Sequence, residues 1–178
     1  MSKIVSLIVA CTLEGGIGYR NSIPWNIKDD IRKFKEITTS TLDKSKKNAV
    51  IMGSKTYMSL PIRNLKDRVN IVITRTDENN ELYKKNSIIK FASIDLALLY
   101  CEYNIDIENI YIIGGSYLYN YFLKNCELVN NIYLSIIKDN YECDTFIIID
   151  TIFKKFNLVK HLNYKNDDYI SYICYNKI

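Results

Sequence analysis

A carboxylate on the apolar side of a short amphipathic helix is the group in this chain best placed to do chemistry. The segment Pro24-Trp25-Asn26-Ile27-Lys28-Asp29-Asp30-Ile31-Arg32-Lys33-Phe34 reads as a turn entering a helix. At helical spacing, Ile27, Ile31, Phe34, Ile37 and Thr38 form the expected inward face. Asp29 falls with Arg32, Lys33 and Glu36 on the wet face, whereas Asp30 falls on the apolar face beside Phe34. A carboxylate there costs free energy unless something compensates it. Intramolecular partners could do so, or a ligand that donates hydrogen bonds, and with the latter an acid-dependent binding pocket is the expectation.

Three glycine-bearing segments and one arginine add to this. Gly15-Gly16-Ile17-Gly18 follows the first apolar run and reads either as a turn or as a loop that closes over a ligand. It is not a dinucleotide fingerprint, because no helix opens directly behind it. Ile110-Tyr111-Ile112-Ile113-Gly114-Gly115-Ser116 reads as a buried strand, a glycine pair and a helix N-terminus. Such a junction is either a tight turn or an anion site where backbone N–H groups meet a diphosphate. Gly53-Ser54-Lys55-Thr56 is a second strand-to-helix junction, with a cation and hydroxyls suited to phosphate. Arg75 follows a strand ending at Thr74, so Lys55 and Arg75 could embrace a terminal phosphate or stand as solvated charges. Arg68, at the start of that strand, could fork onto a carboxylate.

The elements that must position these groups alternate. Strands are expected over Lys3–Ala10, Ala49–Met52, Val69–Thr74, Ser87–Phe91 and Ile110–Ile113. Helices are expected over Asp29–Thr38, Gly53–Ser59, Ser93–Tyr103 and Ser116–Phe122. Ile132–Lys138, Phe156–Leu162 and Tyr169–Tyr175 read as strands without helices between them, the last two joined by a turn over 163–168. The expectation is one α/β domain over residues 1–178. It has a mixed, mostly parallel central sheet flanked by helices and an antiparallel C-terminal edge hairpin.

Composition bounds the rest. With 178 residues, 48% of them hydrophobic, the chain can bury a sizeable core. The net charge of +4 is spread along the chain, so no nucleic-acid partner is expected. The five cysteines lack C-x-x-C spacing, and the lone His161 has no ligand partner at metal spacing. We expect reduced thiols, no metal, a cytoplasmic location and a monomer. The apolar run Ile4–Cys11 is too short for a signal peptide, and no stretch is long enough to span a membrane.

Taken in order, the runs Ile8-Val9-Ala10, Gly16-Ile17-Gly18, Asn21-Ser22-Ile23-Pro24-Trp25, Asp30 with Phe34 and Thr38, and Val50-Ile51-Met52-Gly53-Ser54-Lys55-Thr56-Tyr57 resemble dihydrofolate reductase. Arg68-Val69-Asn70, Ile113-Gly114-Gly115 with Tyr119, and Asp144-Thr145-Phe146 extend the resemblance over nearly the whole chain. It implies NADPH-dependent reduction of 7,8-dihydrofolate to tetrahydrofolate, which supports one-carbon metabolism and thymidylate and purine synthesis.

By that resemblance, Asp30 would hold the pterin, with the Ser135 hydroxyl near it and Tyr119 near the hydride-transfer face. Ile8, Phe34, Leu60 and Ile113 would line the substrate site, and Arg68 would meet the glutamate α-carboxylate. Ala10, Ile17, Gly18 and the loop around Ile23 would fix and cover the nicotinamide. Gly114, Gly115 and Ser116 would meet the cofactor diphosphate, the glycines joined by a cis peptide as is usual in that family. Lys55, Thr56, Thr74 and Arg75 would contact the adenosine phosphate end, although Asp77 and Glu78 follow closely, and Gly53 and Ser54 beside them would also bind the cofactor. Departures from the family pattern are Ser135 for a commoner threonine, Tyr57 for tryptophan, Ser54 for a basic residue, and Lys66-Asp67 for Pro-Gly.

Other classes fit less well. The related reductase of riboflavin biosynthesis shares the fold and NADPH, but its phosphoribosylated pyrimidine would need neither Asp30 nor Arg68. A binding module without turnover predicts damage at Asp30, Gly114 or the 15–25 loop, and the sequence has none.

Overall fold

The computed structural model describes residues 3–75, 86–160 and 169–176. In chain order the elements are β1 (Val5–Cys11), β2 (Gly16–Gly18), α1 (Lys28–Thr39), β3 (Lys47–Gly53), α2 (Ser54–Ser59), β4 (Arg68–Ile73) and β5 (Ile89–Phe91). There follow α3 (Ile94–Tyr103), β6 (Ile107–Ile112), α4 (Ser116–Lys124), β7 (Asn131–Ile137), β8 (Thr145–Phe146), α5 (Ile149–Lys155), β9 (Phe156–Lys160) and β10 (Tyr169–Asn176).

Eight strands form one sheet in the order β5-β4-β3-β6-β1-β7-β10-β9. Pairs from β5 through β7 are parallel, and β10 is antiparallel to both β7 and β9. The expected mixed sheet and its antiparallel edge are therefore present. The expected turn at 163–168, His161, and Asp77 with Glu78 lie outside the described residues.

The central strands are buried on both faces, which is why they read as continuous apolar runs rather than alternating ones. Ala49 and Ile51 of β3, with Ile110 and Ile112 of β6, enter the larger core. Val50, Met52, Tyr111 and Ile113 face a second cluster with Ile8, Phe34 and Leu60. α3 begins where expected, its N-cap Ser93 accepting from the Leu96 N–H at 3.3 Å.

Two features escaped the sequence reading. α5 inserts Ile149 and Ile152 into the core just before β9. β2 and β8 form a separate antiparallel pair that joins the Gly15–Gly18 loop to residues 145–146.

The inward face of α1 also needs correction. Ile31, expected inside, is 57% exposed, and Lys33, expected in water, is 3% exposed. The two residues stand on opposite shoulders of the arc centred on Asp30, Phe34 and Ile37. β10 covers the Lys33 shoulder with Tyr169, whose ring centre lies 5.7 Å from the lysine Nζ.

Candidate active site

Ile8 and Ala10 leave β1 on one face, and the parallel register sets Tyr133 and Ser135 of β7 beside them. α1 packs across this face. Asp30 therefore meets Ser135, whose hydroxyl donates to the carboxylate Oδ1 at 2.6 Å. Burial pushes the Asp30 carboxyl above its usual range, against the Ser135 hydrogen bond and the Lys33 charge, which both favour the anion. Asp30 thus lies on the inner side of α1, as its helical spacing implied, with Ser135 as its hydrogen-bond partner.

Ile8, Phe34, Leu60 and Ile113 come together in one apolar cluster, with Tyr57 and Tyr133 beneath and beside them. Tyr119, 6% exposed, donates its hydroxyl to the Ile8 carbonyl at 2.7 Å, and burial raises its pKa. Tyr119 is thereby fixed between α4 and β1 rather than left to rotate.

Arg68 opens β4 beside the helix. Its Nη1 donates to the Thr38 hydroxyl at 2.8 Å and its Nε to the Lys66 carbonyl at 2.9 Å, while the guanidinium lies 5.8 Å from the Phe34 ring centre. These contacts aim the fork without an acidic partner within ion-pair distance among the described residues. A cleft of about 430 Å³ opens beside Arg68, bordered by Lys47, Lys66, Asp67 and Asn70.

The phosphate-suited junctions lie at the carboxyl ends of neighbouring parallel strands, where ligands of open α/β sheets bind. β3 and β4 run in register, with Gly53 opposite Ile73, which sets Ser54, Lys55 and Thr56 near Thr74 and Arg75. On the other side, the Gly53 N–H donates to the Gly114 carbonyl at 2.8 Å. The Gly114-Gly115 bond is cis, as expected, and Ser116 opens α4 directly behind it. Lys55 and Arg75 are both exposed, while Thr74 is buried.

Neither glycine of the pair can be exchanged freely. Gly114 has φ of +110°, and a Cβ there would meet the Tyr119 ring at 3.0 Å. A Cβ on Gly115 would meet Thr56 Oγ1 at 3.1 Å. The bare backbone thus leaves a shallow cradle between two helix starts, which fits a dinucleotide diphosphate.

The first loop is clasped from the far end of the chain. Asp144 accepts from the Arg20 N–H at 2.8 Å and donates its own N–H to the Gly18 carbonyl at 2.9 Å. Ile147 N–H donates to the Gly15 carbonyl at 2.9 Å. Ile17 and Gly18 are half-buried in this clasp, and Ile23 is 66% exposed. Trp25 anchors the descending arm, packed edge-on to Tyr141 and clustered with Ala10 and Tyr169.

The sequence reading missed Lys33 and Tyr169 as neighbours of the pocket. Their signal was a lysine one turn after Asp30, too close to the helix shoulder for periodicity to place. Among the described residues no group of three or more His, Cys, Asp or Glu could hold a metal.

The family model described as dihydrofolate reductase matches residues 4–177. A dihydrofolate reductase of Aedes albopictus is 36% identical over 174 residues, covering 93% of this chain and 87% of that protein. One of Candida albicans is 38% identical over 150 residues, covering 80% and 75%. A bifunctional dihydrofolate reductase-thymidylate synthase of Arabidopsis thaliana is 40% identical over 155 residues; these cover 84% of this chain but only 30% of the plant protein. With a family match along almost its whole length and such relatives, the chain belongs to the dihydrofolate reductase family.

Proposed function

We propose that this chain reduces 7,8-dihydrofolate to 5,6,7,8-tetrahydrofolate with NADPH. Members of its family use a nicotinamide cofactor. The observation that carries the reading is the Asp30 carboxylate, which accepts from the Ser135 hydroxyl at 2.6 Å one helical turn from Phe34 and its apolar cluster.

When bound, the cofactor supplies the hydride. Asp30 accepts hydrogen bonds from the pterin ring nitrogen and exocyclic amino group, and its negative charge favours the protonated pterin. Ile8, Phe34, Leu60 and Ile113 exclude water from the ring faces. Arg68 receives the α-carboxylate of the glutamate tail, and its hold on Thr38 fixes the distance between the two anchors. Tyr119, fixed by its hydrogen bond to Ile8, borders the reacting face. Ala10, Ile17 and Gly18 border the nicotinamide subsite, and Gly53, Gly114, Gly115 and Ser116 the diphosphate subsite. Ser54, Lys55, Thr56, Thr74 and Arg75 form the adenosine phosphate subsite. Two exposed cations there favour a 2′-phosphate over a free ribose.

The working unit in this reading is one domain over residues 1–178 acting as a monomer, since one chain supplies every group named. Cys11, Cys101, Cys126 and Cys143 stand as thiols rather than in disulfides, which fits a reducing compartment such as the cytoplasm. No helix among the described residues is long and apolar enough to cross a membrane.

The test is NADPH oxidation, followed by loss of near-ultraviolet absorbance, with and without dihydrofolate, in wild type and Asp30→Asn. Dihydrofolate-dependent turnover that falls about a hundredfold or more in the variant is expected. Binding of NADPH without dihydrofolate turnover in the wild type would overturn the reading.

A further inference from the structure

Lys33 takes no part in the arrangement above, yet it is 3% exposed. A lysine at a helix edge ordinarily extends its stem until the ammonium reaches water. Here the ammonium lies over Tyr169, its Nζ 5.7 Å from the ring centre. Tyr169 pairs with Ile137 of β7, and Ser171, two residues further along β10, pairs with Ser135. Asp30 and Lys33 lie one helical turn apart on α1, and adjacent strands receive them: β7 meets Asp30 through Ser135, and β10 meets Lys33 through Tyr169.

A buried ammonium needs negative charge or a π face near it. Tyr169 supplies the π face and Asp30 the charge. The coupling runs both ways. Burial lowers the Lys33 pKa to about 8 while Asp30 pulls it upward, and Lys33 pulls the Asp30 pKa downward against burial.

Other groups around the pair, among the described residues, come from every neighbouring element. Asp29 and Arg32 of α1 pair with each other at 2.9 Å on the outer face. β7 presents Ser135, and β10 presents Tyr169. Tyr119 of α4 couples electrostatically to Asp30 and to Cys11 of β1. Tyr141 and Cys143 share the Trp25–Tyr169 cluster.

We propose that Lys33 is a positioning residue for the reaction, its buried ammonium keeping the Asp30 carboxylate ionised to receive the pterin. The proposal rests on the reading of Asp30 as the pterin anchor. It assigns Lys33 an action through Asp30 and no contact with substrate.

The test is a titration of 13Cγ-labelled aspartate by NMR in the ligand-free protein, with Asp30→Asn identifying the signal. In wild type, the Asp30 resonance shows its own titration and a second, smaller inflection near the Lys33 midpoint of about 8. In Lys33→Met the second inflection disappears and the Asp30 midpoint rises by about half a unit or more. Lys33→Arg restores the midpoint to within about 0.2 units of wild type. The acidic limb of kcat/KM for dihydrofolate moves with the same midpoint in each variant.

A wild-type Asp30 signal blind to the Lys33 titration overturns the proposal without any variant. So does a Lys33→Arg protein that behaves like Lys33→Met, since charge would then be irrelevant. If Asp30→Asn keeps full dihydrofolate turnover while the NMR coupling stands, the pterin-anchor reading fails, and the proposal with it. The two failures appear in different measurements.

Discussion

Ser135 and Asp30 lie 105 positions apart in the chain and share a 2.6 Å hydrogen bond. Ser135 reaches the carboxylate because β7 runs parallel to β1 in a register that sets it beside Ala10, on the face that α1 covers. The hydroxyl can rotate, but against a carboxylate it must donate. Together with the Lys33 charge, it therefore stabilises the ionised form of an acid whose burial favours the neutral one.

Removing that donor has a definite sign. In Ser135→Ala the Asp30 carboxyl keeps its burial and loses a charge-assisted hydrogen bond, so its pKa rises further. The acidic limb of kcat/KM for dihydrofolate should move to higher pH, and substrate binding at neutral pH should weaken by about 1.5–3 kcal/mol. Ser135→Thr, which keeps the hydroxyl, should stay close to wild type. Measured pH–rate profiles that superimpose for alanine and wild type would show that the bond has no bearing on the anchor.

The glycine pair yields a prediction about cofactor rather than substrate. Gly115→Ala places a methyl 3.1 Å from Thr56 Oγ1, inside the shallow cradle between β3 and β6. NADPH affinity should fall at least tenfold, while folate binding to the free protein should change little. Gly114→Ala is more severe, because its φ of +110° disfavours any side chain and the methyl would press on Tyr119 at 3.0 Å. A stability loss of about 1–3 kcal/mol is expected on urea unfolding. Unchanged NADPH affinity in Gly115→Ala would place the diphosphate elsewhere.

Part of this site was legible before any fold was known, and the reasons differ by residue. Asp30 stood out through helical periodicity, because a charge at the centre of an apolar arc requires a partner, inside the chain or on a ligand. Gly114 and Gly115 declared themselves by following a buried strand and preceding a helix. The Ser135–Asp30 contact could not be read from periodicity, since it depends on strand register between distant segments; only resemblance suggested it. Lys33 and Ile31 were misplaced because each lies on a shoulder of the arc, where burial depends on whichever neighbour arrives. Tyr169 covers one shoulder. The short helix α5 and the β2–β8 pair were missed because seven, three and two residues are too few for periodicity to register.

The cations proposed for the adenosine end make cofactor choice testable. Lys55 and Arg75 sit at the carboxyl ends of adjacent strands and are both exposed. Replacing both with glutamine should raise KM for NADPH about tenfold or more while leaving KM for NADH within about twofold, because only the former carries the 2′-phosphate. Equal losses for both cofactors would mean that these residues hold a group common to the two.

Lys33 also predicts how stability depends on pH. Its pKa falls from 10.5 in the unfolded chain to about 8 in the folded one, because burial disfavours the ammonium. Between those two values the unfolded chain holds a proton that the folded chain has released. The unfolded state then binds more protons, so stability rises with pH across this window. Lys33→Met has no such group and lacks the rise. The advantage of Lys33→Met over wild type should therefore shrink between pH 8 and pH 10.5 by on the order of 2–3 kcal/mol, whatever its sign at neutral pH. Urea unfolding of both proteins at several pH values measures the difference directly, and titrations common to the two cancel. A gap that stays constant or widens would mean that the folded protein keeps the Lys33 proton as tightly as the unfolded chain does.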